Sequence, residues 1–159
     1  TVTITVVDKL APAVTGPVDF TPKAGGYTVK MPAAASEASE GTSTTAFAVA
    51  KNGVYLVKFT QFSADAVAKM TDADIDKAIN DAQKKDLDPG EKVSDSKKIT
   101  LDTNPGLQVT VTSANSGKAR YIFVKSQGRL YTLAAVMQKS STPPANADTF
   151  LDSFKLVAK

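Results

Sequence analysis

Apolar and polar residues alternate along most of this chain, and a period of two predicts strands. Residues 1–8, TVTITVVD, alternate and are rich in β-branched side chains, so they read as a strand. Residues 9–19 hold Pro12, Gly16 and Pro17 and read as a connection. Short strands are expected at 18–21 and 26–31, around a turn at 23–26, and Pro32 ends the second because proline cannot donate to a ladder. Residues 46–50 and 54–62 flank Lys51-Asn52-Gly53, a strong hairpin signal because Asn and Gly both tolerate positive φ. In the second arm Val54, Leu56, Lys58 and Thr60 fall on one face, and Tyr55, Val57, Phe59 and Gln61 on the other. Four more strands, 93–101, 106–113, 119–125 and 130–138, are separated only by short turns at 102–105, 115–117 and 126–128. Such spacing predicts an antiparallel meander.

The period changes to 3.6 in residues 64–86. Ile75, Ala78, Ile79 and Ala82 share one helical face. Thr71 with Asp74 has the form of a capping box, and a short first helix carrying Ala64, Val67 and Ala68 precedes it. Asp88-Pro89-Gly90 breaks the segment. A last helix is expected over 145–154, with Phe150, Leu151 and Phe154 along one edge. Residues 33–45, AAASEASEGTSTT, are small and polar and read as a flexible loop. The fold class is therefore α+β: an antiparallel sheet, a long crossing helix and a C-terminal helix. Residues 1–17 form an N-terminal strand and connection, and 18–159 form one domain. Tyr121, Phe123, Leu133 and Phe150 are core candidates.

Composition narrows the chemistry more than it widens it. The 159 residues contain neither cysteine nor histidine. Disulfides, thiol catalysis, Ser-His-Asp triads and zinc sites of the usual kinds are thereby excluded. Nineteen basic and sixteen acidic residues give a net charge of +3 with the signs interleaved, not the concentrated basic stripe of a nucleic-acid binder. The nearest approach is Lys97 and Lys98, then Lys118, Arg120, Lys125 and Arg129, read as cover for a solvent face. No apolar run reaches the length of a membrane helix. The chain begins at Thr1, read as removal of a leader or linker in preference to an N-terminal threonine nucleophile.

Each candidate motif has a blander competitor that fits better. Asp72, Asp74 and Asp76 resemble the start of a calcium loop, but the glycine position holds Lys77 and the final glutamate position holds Gln83. An acidic first turn facing the helix dipole suffices. Ser94 and Lys97 match the serine–lysine spacing of penicillin-recognising enzymes, without the helix start or the further elements that chemistry needs. Glu37 with Glu40, and Asp86 with Asp88, read as solvated carboxylates with no apolar pocket around them. Gly25-Gly26 reads as turn chemistry. Tyr55, Tyr121, Tyr131, Phe59, Phe62 and Phe123 lie in strands or at their ends, where core packing is commoner than a ligand platform.

Three stretches carry a family likeness. They are Phe20-Thr21-Pro22 with Gly26-Tyr27-Thr28-Val29-Lys30-Met31-Pro32, then Arg129-Leu130-Tyr131-Thr132-Leu133, and Phe150-Leu151-Asp152-Ser153-Phe154-Lys155-Leu156. In order and spacing, over about residues 18–157, the chain resembles the PsbP-like superfamily, an α-β-α sandwich. Members include an extrinsic photosystem II subunit, a nuclear Ran-binding protein and many exported bacterial proteins. The resemblance implies a non-enzymatic accessory or binding role outside the cytoplasm. It transfers no site, because metal binding in the photosynthetic members depends partly on histidine.

The expected function is a binding module, exported or envelope-associated, acting through surface loops or a shallow groove between sheet and helix. The 33–45 loop and the meander turns are its expected contact elements. Alternatives are a structural domain of a larger envelope protein and a carboxylate- or tyrosine-based enzyme. No catalytic, cofactor-binding or metal-ligating residue is expected, and no cofactor. The expected partner is a protein or a small molecule, not nucleic acid, without membrane insertion.

Overall fold

In a computed structural model of the protein, residues 17–51, 53–112, 115–140 and 142–158 are described. The strand expected over 1–8 lies outside them. The central layer is a seven-stranded antiparallel sheet in the order β3-β4-β5-β9-β8-β7-β6. Its strands are β3 (Ser36–Glu40), β4 (Ser43–Ala50), β5 (Gly53–Gln61), β6 (Val93–Leu101), β7 (Asn104–Val111), β8 (Ser116–Val124) and β9 (Arg129–Met137). A small sheet of β1 (Val18–Phe20), β2 (Tyr27–Met31) and β10 (Lys155–Leu156) has the order β1-β2-β10. Helices α1 (Ala64–Lys69) and α2 (Asp72–Asp86) share one face of the large sheet, and α3 (Ala147–Asp152) lies on the other.

The alternating pattern decides which face each residue joins. Tyr55, Val57 and Phe59 of β5, Ile122 and Val124 of β8, and Tyr131, Leu133 and Ala135 of β9 bury against α3 and β2. The residues between them, Tyr121 and Phe123 of β8 and Leu130 of β9, bury with Ile75 and Ile79 of α2. Thus Tyr121, Phe123, Leu133 and Phe150 are all core residues, as the pattern predicts. The helical break before α2 is set by capping. Thr71 Oγ1 accepts from the Asp74 amide at 3.3 Å, and Asp74 Oδ2 accepts from the Thr71 amide at 2.8 Å. Those bonds hold the Asp74 carboxyl below its ordinary pKa.

One prediction fails in this part of the chain. Residues 33–45 are not a loop: they form β3 and the start of β4, with Ala38 paired to Thr45 and Glu40 to Ser43. Low complexity hid the strand because β3, SEASE, is an edge strand with nothing apolar to bury, and its side chains are almost all exposed. Charged, exposed edges discourage further strand pairing. The meander keeps its predicted order, but its first turn shrinks to Asp102 and Thr103, both at positive φ (46° and 73°), with Leu101 paired to Asn104.

The two sheets are joined by a buried cation. Arg129 lies on the α3 side of β9 and is 5% exposed, not on a solvent face as its place among basic residues predicts. No carboxylate neutralises it among the described residues. Its Nε donates to Gln61 Oε1 at 2.9 Å, and its Nη1 donates to the Gly25 carbonyl at 2.8 Å and Tyr131 Oη at 3.2 Å. The guanidinium carbon stands 4.1 Å from the centre of the Phe59 ring. Tyr131 in turn donates to Gln127 Oε1 at 2.5 Å, and Gln127 Nε2 donates to the Gly26 carbonyl at 2.9 Å. Gly26 has φ +95°, and a Cβ there would meet Arg129 Nη1 at 2.5 Å, so both backbone and space demand glycine. Beneath this turn Tyr27 stacks on Phe154 at 5.3 Å and meets the edge of Tyr131 at 5.5 Å.

Candidate functional site

Helix α2 packs over β7 and β8 and ends before it reaches β9, β5 and β4. The uncovered part of the sheet forms the floor of a cleft of about 340 Å³. Strand register fixes what that floor is made of. One row across the strands reads Thr45 (β4), Lys58 (β5), Thr132 (β9) and Tyr121 (β8), each directly opposite the next. Two residues further along each strand the row reads Phe47, Leu56, Ala134, Ala119 and Val109. Two further still it reads Val49, Val54, Val136, Gly117 and Val111. Directly opposed residues share a face, so the floor carries one polar row and two apolar rows.

Side-chain size turns that floor into a trough. Ala134, Ala119 and Gly117 are the small residues at its centre, and Leu56, Val109 and Val111 rise on either side. Gly117 cannot be enlarged without a shift, because a Cβ would stand 2.7 Å from the Ala135 carbonyl oxygen. Asp86, Leu87 and Glu91, from the end of α2 and the connection to β6, complete the rim. The apolar surface continues past the cleft onto Phe47 and Val49, which are 40% and 65% exposed.

The charges around the cleft differ in how far they are already satisfied. Burial raises the Asp86 carboxyl above its ordinary pKa, while Lys58, a hydrogen bond from Tyr121 and Lys85 pull it back. Burial and Asp86 raise the Tyr121 hydroxyl far above its usual range, so it stays protonated and serves as a donor. Glu91 Oε2 accepts from the Asp88 amide at 3.0 Å. Lys118 also borders the cleft, but its ammonium is bound to both oxygens of Asp148, at 2.9 and 2.8 Å. Lys58, half-buried on β5, makes no ion pair and no hydrogen bond among the described residues; it acts on Asp86 only through space.

Asp86 therefore corrects the expectation that both of its local carboxylates are simply solvated: its outer edge is exposed, but it borders an apolar trough beside Tyr121. Asp88 is exposed, and so are Glu37 and Glu40, apart from partial cover on Glu37. The Asp72, Asp74, Asp76 run is not drawn together. Asp74 is spent on Thr71, Asp76 pairs with Lys98 at 3.0 Å, and no group of three acids suited to a metal occurs among the described residues. Ser94 Oγ donates to the Thr110 carbonyl at 3.2 Å on an exposed strand. The basic candidates are dispersed: Lys98 to Asp76, Arg120 to Asp152, Lys125 to the Met70 carbonyl and Arg129 inward. Lys58, Thr45 and Thr132 were not singled out by sequence reasoning, although a lone lysine on the apolar Val54–Leu56 face is a signal for the first.

No family model and no curated protein matches the sequence. Among solved structures, the solution structure of cyanobacterial PsbP (CyanoP) from Synechocystis sp. PCC 6803 is similar at 14% identity. The likeness covers 91% of this chain and 94% of that one, with a TM-score of 0.55. The fold is PsbP-like. A Bacteroides thetaiotaomicron protein aligns at 9% identity and a TM-score of 0.50 over 91% of this chain, which spans half of that one. At such identities the PsbP-like likeness concerns the backbone alone. The cleft rests on this chain's own side chains: small residues at the centre of β8 and β9 of the PsbP-like sheet, beside a helix that stops short.

Proposed function

We propose that this protein is a non-enzymatic binding module that holds a small, largely apolar ligand in the cleft beside α2. The observation that carries the reading is the trough of Ala134, Ala119 and Gly117 under a rim that includes Asp86 and Leu87. Its volume, about 340 Å³, falls in the range of small-molecule pockets, and convergent polar groups on an apolar wall are what such pockets use to orient a ligand. The contacts then come from the sheet face, to which the 33–45 segment contributes Thr45 at the start of β4.

A binding role fits the chemistry better than catalysis. The Tyr121 hydroxyl is held protonated and is a poor base, and Asp86 is engaged by its hydrogen bond. An extracytoplasmic setting is part of the proposal and rests on the PsbP-like resemblance. No helix among the described residues is long and apolar enough to cross a membrane.

Titration with the neutral apolar dye Nile red tests the reading. Saturable binding is expected, with amide shift changes concentrated in residues 54–58, 117–121 and 132–136. Ala134→Phe, which fills the trough from its floor, should abolish it. Dye binding that never saturates, or shifts spread over the α3 face, would overturn the proposal independently of how the variant folds.

A further inference from the structure

We propose that the cleft takes an anionic amphiphile, a medium-chain carboxylate whose head sits on Lys58 and whose chain runs along the trough toward Val136 and Gly117. This rests on the binding-module reading above and adds the chemical class and the orientation of the ligand.

The floor is itself amphipathic along the strand direction. The polar row lies at one end, and both apolar rows lie beyond it on the same side. From Thr132 to Val136 is four residues of strand, roughly 13 Å at the usual rise. A ligand that matches this floor has one polar end and an elongated apolar body, not polar groups at both ends.

Charge decides the sign of the head. Both acids at the rim already accept hydrogen bonds, Asp86 from Tyr121 and Glu91 from the Asp88 amide. The Lys58 ammonium has three donors and no hydrogen-bond partner among the described residues. It stands between Thr45 and Thr132, its direct partners on the neighbouring strands, and all three line the cleft. Lys58 on β5 is separated from Tyr121 on β8 by β9, about two strand spacings, or roughly 10 Å. The Lys58 charge already reaches Asp86 through space, but no ion pair joins the two among the described residues, so the three ammonium donors are open to a ligand carboxylate. The ligand supplies a hydrogen-bonded partner for the ammonium, and Thr45 and Thr132 offer neutral donors to its second oxygen.

Three ten-carbon probes, decanoate, decanol and decylamine, separate the possibilities by calorimetry and amide shift mapping below their aggregation thresholds. Decanoate is expected to bind about tenfold more tightly than decanol, the effect of one charge-assisted hydrogen bond, and decylamine more weakly than either. Lys58→Met should remove that tenfold advantage, bringing decanoate and decanol to about the same affinity, and an unchanged circular dichroism spectrum shows that the variant is folded. Largest shifts at Lys58 and Thr132 with decanoate, and at Val136 for both probes, would fix the orientation. Equal affinity for decanoate and decanol, or tighter binding of decylamine, overturns the head-group assignment while the binding module stands. Binding of none of the three overturns both.

Discussion

Arg129 offers the sharpest test of how the two sheets are held together. Replacing it with methionine keeps much of the buried stem and removes the guanidinium. Two short charged hydrogen bonds are lost, to the Gly25 carbonyl at 2.8 Å and to Gln61 at 2.9 Å. Each is worth about 1.5–3 kcal/mol, and the Phe59 contact about 1 kcal/mol. Methionine also removes the cost of burying a cation, several kcal/mol. Breaking buried charged networks costs about 3–5 kcal/mol when a charge is stranded. Here only neutral carbonyl and amide oxygens are left unpaired, which places Arg129→Met near the lower end, at ~3 kcal/mol. For a chain of this size that lowers Tm by roughly 6–12 °C.

Arg129→Lys separates geometry from charge. The ammonium cannot span Gln61 and Gly25 together, so the lysine variant should lie closer to methionine than to wild type. Urea unfolding followed by circular dichroism measures both, provided the slope m is unchanged. Gly26→Ala completes the set, because part of its steric cost depends on Arg129 Nη1, whereas the contact with Tyr131 Oη and the backbone strain at φ +95° do not. The Gly26→Ala cost should shrink in the Arg129→Met background without vanishing. A lysine variant as stable as wild type, or a methionine variant costing under about 1 kcal/mol, would show that the network does not hold the turn.

Two further substitutions probe the cleft rim and the meander. The Asp86 carboxyl is raised above 3.8 in the folded protein, so the folded state holds its proton more tightly than the unfolded one. Wild type therefore loses stability as pH rises from 3.8 through the raised value, and Asp86→Asn does not. The Tm advantage of Asp86→Asn should grow across that window and level off above it, modestly because the carboxyl edge still meets water; a difference independent of pH would refute the assignment. Thr103, β-branched at φ 73°, carries a left-handed strain of about 1–2 kcal/mol, offset in glycine by about 0.5–1 kcal/mol of chain entropy. Thr103→Gly should raise the urea midpoint slightly, and a lower midpoint would show that the Thr103 side chain supports the turn.

The fold was legible wherever a residue's neighbours in sequence are also its neighbours in space. The β4–β5 strand pair, the Thr71–Asp74 cap and the four meander strands are local, and all stand in the structure close to their expected positions. What escaped was decided at a distance. β3 is a strand only because β4 lies beside it, since SEASE carries no apolar alternation of its own. Arg129 was placed on the surface because arginine is usually exposed, and nothing near it in sequence announces the Ala24 and Gly25 carbonyls more than a hundred residues earlier.

The cleft failed to appear in the sequence for the same reason, and its partial visibility is instructive. Alternation alone assigns Lys58 to the face of Val54 and Leu56, but it cannot say whether a helix covers that face. Coverage depends on where α2 ends, and α2 ends at Asp86, over β8, because Leu87 leaves the helical conformation just ahead of Asp88-Pro89-Gly90. A helix two turns longer would reach about 11 Å further across the sheet. The breaker that closes α2 thus helps to keep the trough open, and the apolar rows of β5 and β9 stay half-exposed where a sheet without a ligand has reason to bury them. An exposed apolar floor is costly to maintain in water; occupation by the proposed amphiphile would relieve that cost.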